Sequence, residues 1–160
     1  MNDFDFLMGS WHVVNRRRRG DGWDEFPGYA TCRPALDGLG NVDEIEFPTL
    51  KSRGLTLRLF DVESRQWSIY WASGTTGRLY PPVHGTFRDG RGDFYGDDTH
   101  EGRPIRVHFI WSGTTSSSPR WEQKFSYDGG RTWETDWVME LTRDTTQDYA
   151  GAAAKTLGRA

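Results

Sequence analysis

His12, His84, His100 and His108 carry the side chains in this sequence best suited to ligate a metal or move a proton. They show neither His-x-x-x-His nor His-x-His spacing, so the reading is four surface or hydrogen-bonded histidines and no metal site. Cys32 is the sole cysteine, which excludes an intramolecular disulfide and a cysteine-based zinc site. On a strand it reads as a small apolar residue rather than a nucleophile. There is no Ser-His-Asp order and no Cys-His pair, and Glu122, Glu134 and Glu140 read as facing outward. What the chain does carry is rings: aromatics make up 14% of its 160 residues, eight of them tryptophan, while hydrophobic residues reach only 35%. Ring stacking and burial of apolar ligand surface are the chemistry such a composition offers.

Those rings sit on short alternating segments separated by turn residues, the pattern of antiparallel strands. Trp11, Val13, Asn15 and Arg17 share one face of the first strand, and His12, Val14, Arg16 and Arg18 the other. Gly20-Asp21-Gly22 is a turn, and residues 29–33 and 42–47 flank a hairpin at Asp37-Gly38-Leu39-Gly40. Residues 55–60 and 67–72 alternate, and Pro81-Pro82 interrupts pairing and bends the chain at a rim. Further strands fall at 83–87, 93–95, 105–111, 121–126 and 133–142, about ten in all. Closure removes sheet edges, so the expected fold is all-β: one antiparallel barrel over residues 1–143, with a short helical turn at Phe4 to Met8. Residues 144–160 read as a tail, helical or disordered.

Composition narrows the partners. A net charge of -3 and a pI near 5.8 give no positive field for nucleic acid or an anionic membrane surface. No run approaches the roughly 20 apolar residues of a membrane span, and the acidic start Met-Asn-Asp-Phe-Asp-Phe-Leu-Met is no signal peptide, so the expected location is cytoplasmic. Oligomeric state is not legible.

Alternation assigns the barrel's inner face to Asn15, Arg17, Leu57, Leu59, Trp67, Ile69, Trp71, Phe109, Trp111, Trp121, Gln123, Phe125, Thr135, Trp137 and Met139. From these, Asn15, Arg17, Trp67, Trp71, Phe109, Trp111, Gln123 and Trp137 are the candidate ligand-binding residues, rings with a few convergent polar groups. The expected ligand is small, apolar or aromatic, with Arg17 able to meet an anionic end. Two alternatives stay open: a cofactor-independent isomerase, cyclase or hydratase in the same cavity, and a structural or interaction module whose interior is filled by side chains. Arg16 to Arg19 read as solvated rim charges or an anion clamp, and Arg91-Gly92-Asp93 as a turn.

Gly9-Ser10-Trp11 together with Arg143 resembles the signature of the calycins, the lipocalin and fatty-acid-binding-protein superfamily. The resemblance implies that Trp11 caps one barrel end and that Arg143, from the last strand, lies over its indole. Residues 4–11, Gln66 to Trp71, Asp128 to Glu134 and Trp137 to Arg143 are similar to uncharacterised bacterial lipocalin-like proteins. That likeness implies a small-molecule cavity, transfers no catalytic residue, and leaves haem ligation through histidine as a minor alternative to no cofactor. Ser126-Tyr127-Asp128-Gly129-Gly130-Arg131-Thr132-Trp133 fits the Asp-box pattern of sialidase propellers. A single copy without repeats reads as a hairpin device, with Asp128 bonding turn amides.

Overall fold

Every strand pairs antiparallel with its sequence neighbours, and the first closes onto the last. The computed structural model describes residues 2–145; the expected tail beyond 145 lies outside the described residues. The strands are β1 (Gly9–Arg19), β2 (Gly22–Ala35), β3 (Gly40–Phe47), β4 (Ser52–Asp61), β5 (Gln66–Ser73), β6 (Val83–Arg88), β7 (Arg91–His100), β8 (Arg103–Ser112), β9 (Arg120–Ser126) and β10 (Glu134–Arg143). The only helical pieces among the described residues are short 3-10 turns, the first at Asp5–Leu7. No helix among them is long and apolar enough to cross a membrane. This is the expected ten-stranded calycin-like barrel.

One end is sealed. Trp11 and Arg143 are cross-strand partners, and the Arg143 guanidinium carbon stands 3.9 Å from the Trp11 ring centroid. Its nitrogens donate to the carbonyls of Met8 and Phe6, while the Trp11 indole N–H donates to Leu7 at 2.8 Å. The arginine thus pins the N-terminal turn across the barrel end. Gly9 is required there: its φ is +104°, and a Cβ would lie 2.5 Å from Arg143 Nη1. Phe4 drops into the barrel from this turn, its ring edge-on to Trp67 and Phe87 at 4.9 Å each. Trp67 donates from Nε1 to Asp3 at 2.9 Å.

Strand directions place the turns β1–β2, β3–β4, β5–β6, β7–β8 and β9–β10 at the opposite, open end. The β5–β6 connection carries Pro81-Pro82, and Tyr80 N–H bonds the Trp71 carbonyl at 2.8 Å, folding this loop over the rim. β5 and β6 pair over only three positions, Trp67 to Ile69 against Val83 to Gly85.

Two strand expectations need correction. β2 begins at Gly22, seven residues before the expected start, because Arg16 to Arg19 of β1 pair with Glu25 to Gly22 in a long hairpin. Asp24, Glu25, Pro27 and Gly28 are weak strand formers, and neighbour pairing overrides that preference. Pro27 is tolerated because β2 pairs with β3 only from Tyr29 onward. On β4 the inward face is reversed: Thr56 and Arg58 line the interior, while Leu57 and Leu59 lie on the other face. Gly54, on the inward register, lies under the Trp71 indole, where a Cβ would collide with the ring.

Candidate functional site

The barrel holds a cavity of about 310 Å³ opening at the unsealed end. Rings from four strands stand in its walls: Trp71 from β5, Phe109 and Trp111 from β8, Trp121 and Phe125 from β9, and Trp137 from β10. These project inward because they occupy alternate positions on strands whose other positions lie on the outer face of the barrel. Trp121 and Trp137 meet at 6.3 Å between centroids and Phe109 and Trp121 at 5.1 Å, both edge-on. Ile69, Val107, Met139 and Leu141 fill between the rings.

Six of the eight expected ligand-binding residues line this cavity: Arg17, Trp71, Phe109, Trp111, Gln123 and Trp137. Trp67 does not. It is 1% exposed and buried in the plug beneath Phe4, because its position on β5 is at the sealed end. Asn15 is also behind the wall, fully buried, with its amide donating to Phe26 O at 3.2 Å and its oxygen accepting from Trp137 Nε1 at 3.0 Å. It orients the Trp137 indole instead of meeting a ligand.

The cavity floor contains a polar cluster that alternation alone did not reveal. Arg58, 4% exposed, donates to Asp43 Oδ2 at 2.6 Å and to Asn41 Oδ1 at 2.8 Å, and contacts the Cys32 sulfur at 3.9 Å. Its guanidinium carbon lies 5.2 Å from the Phe4 ring and 5.9 Å from Trp111. Arg58 Nε is buried and has no hydrogen-bond partner among the described residues. Burial pushes the Cys32 thiol up to about 11, against the lowering influence of Arg58, so it remains protonated at neutral pH. A signal for this cluster was present. Ile45 and Phe47 fix the inward face of β3, which brings Asp43 with them, and a carboxylate on an apolar face requires a cation.

At the mouth, β10 is irregular. Its register against β9 slips between Thr135 and Trp137, so Asp136 is the extra residue of a β-bulge. Strict alternation would turn Thr135 inward; it pairs instead with Lys124, whose face is the outer one, and Asp136 lines the cavity. Asp136 Oδ2 accepts from Gln123 Nε2 at 2.9 Å. Arg17 stands at the rim with its guanidinium carbon 4.7 Å from the Trp137 ring centroid. Asp98 also lines the mouth and accepts from Thr99 N–H at 2.7 Å.

The four histidines lie apart. His100 lines the mouth beside Phe125, His12 reaches Asp144 at 3.2 Å, and His84 meets Ser68 Oγ at 2.8 Å. His108 is on the outer face, stacked on Tyr95 at 4.2 Å and bonded to Asp93 at 2.8 Å. Burial lowers the His108 pKa against the raising effect of Asp93, while Arg91 and His108 hold the Asp93 carboxyl below its ordinary value despite its partial burial. The Asp-box forms the β9–β10 turn at the open rim. Asp128 Oδ1 accepts from the amides of Arg131 and Thr132 at 3.0 and 2.9 Å, and Oδ2 from the Thr132 hydroxyl at 2.6 Å. Ser126 Oγ joins it at 2.8 Å. The Thr132 hydroxyl and amide, with Ser126 and Arg131, hold the Asp128 carboxyl well below the usual carboxylate range.

Fold and site together define a calycin-like barrel with one sealed end, one open end and a ring-walled interior. A solved structure similar to this chain is that of the S-type phycobiliprotein lyase CPES from Guillardia theta, with a TM-score of 0.58 and 11% sequence identity. The match covers 89% of this chain and 90% of that one. At that identity the likeness establishes a shared fold. No family model and no curated protein matches the chain.

Proposed function

We propose that this protein binds a small aromatic molecule in the barrel cavity. One observation carries the reading: the interior is open from one end, sealed at the other, and walled by rings contributed from β5, β8, β9 and β10. A filled barrel would close that space with side chains, whereas this one keeps about 310 Å³, the lower end of the usual range for ligand pockets. Trp71, Phe109, Trp121 and Trp137 would stack on the ligand, each pair adding roughly 0.5–1.5 kcal/mol beyond burial. Because Trp137 is already held by Asn15 and Trp71 by the space over Gly54, little ordering remains on binding. Micromolar affinity, about -8 kcal/mol, is within reach of that arrangement. The neighbour named a phycobiliprotein lyase shares the fold, and the reading rests on the cavity.

Intrinsic tryptophan fluorescence titrated with a panel of aromatic amines, alcohols and acids, alongside fatty acids, is the test. A saturable change with an aromatic compound, diminished in Trp137→Ala, supports the reading. No change with any compound in the panel would overturn it and leave a scaffold role.

A further inference from the structure

Resting on that reading of the cavity, we infer that its ligand is an organic cation: a planar aromatic bearing a protonated amine. The juxtaposition that carries this is Asp136, turned inward by the β10 bulge, beside the Trp137 face on which the Arg17 guanidinium already rests.

A bulge re-aims one side chain, and here the side chain gained by the cavity is a carboxylate. Among the described residues Asp136 makes no ion pair; it accepts a hydrogen bond from the neutral amide of Gln123. The other lining charges are largely spoken for. Asp43 is paired with Arg58 at 2.6 Å and Asp97 with Arg106 at 3.3 Å. Asp98 and Asp136 then face the mouth with Arg17 as their counterweight, an excess of negative charge in a ring-lined space.

Arg58 offers no anion site. Its terminal nitrogens are committed to Asp43 and Asn41, its Nε is buried out of reach, and Phe4 and Trp111 stand over the guanidinium. A carboxylated ligand would therefore meet Asp136 and Asp98 without a free buried cation. An ammonium would meet a carboxylate and an electron-rich indole face whose capacity for a cation Arg17 displays. Rings plus carboxylate are the combination that recognises organic cations. Arg17 becomes a built-in occupant that the ligand's ammonium displaces.

Calorimetric titration with three probes of one shape tests this: 2-naphthylmethylamine, 2-naphthylmethanol and 2-naphthoate at neutral pH. The amine should bind roughly tenfold more tightly than the alcohol, and the carboxylate most weakly. Asp136→Asn should erase the amine's advantage over the alcohol, and Arg17→Ala should strengthen amine binding. Carboxylate preference, or equal binding of the three, overturns the cation inference while the aromatic-binding site stands. Failure of all three to bind overturns the cation inference, and together with silence of the whole fluorescence panel it overturns the aromatic-binding site as well. Should Asp136→Asn not fold, the ranking by the native protein decides alone.

Discussion

Replacing Asp43 by leucine should destabilise the barrel far more than removal of one surface charge. The substitution leaves the Arg58 guanidinium, whose side chain is 5% exposed, with Asn41, the Cys32 sulfur and two ring contacts as its remaining partners. Arg58 Nε already lacks a partner, so no reserve of hydrogen bonding compensates. Breaking a buried pair in this way costs about 3–5 kcal/mol, against a total domain stability of roughly 5–15 kcal/mol. At 2–4 °C per kcal/mol for a chain of this size, the melting temperature should fall by about 10 °C. Arg58→Met alone leaves Asp43 buried without its cation and should cost a similar amount. The pair Asp43→Leu with Arg58→Met should recover most of the loss, since the desolvation of both charges disappears together. Urea titration of the four proteins closes a double-mutant cycle. A single-variant cost below about 1 kcal/mol would refute the argument, as would a double variant whose loss equals the sum of the two.

Arg143→Ala should lower stability by about 1–2 kcal/mol through loss of the Trp11 stack and the bonds to Met8 and Phe6, with the far-ultraviolet β signal retained. An unchanged urea midpoint would count against the plug assignment. Asp128 has a folded pKa below its unfolded value, so its contribution is present above about pH 4 and is lost as pH falls. Asp128→Ala should therefore lower the melting temperature at pH 7 and converge with the native protein toward pH 2; a constant difference across that range would contradict it.

Much of this barrel was legible in the residues. Glycine turns and alternating rings define strands locally, and Gly9-Ser10-Trp11 with Arg143 located the sealed end because both lie on one register of paired strands. The Asp-box was readable as a turn because its bonds run within eight residues, Ser126 to Trp133. Other features depended on contacts far apart in sequence. Alternation states which residues share a face but not which face is inner; on β4 that is decided by Asn41 and Ile69, the cross-strand partners of Arg58, and by Asp43, its ion-pair partner. Period two also assumes an unbroken strand, and the single extra residue of the β10 bulge exchanged Thr135 for Asp136 at the mouth. Depth along the barrel was equally invisible: Trp67 and Trp71 share a strand face, yet one is under the plug and the other walls the cavity. Whether large rings fill a barrel or surround a space depends on how they pack against partners contributed by distant strands, and only the closed tertiary structure decides it.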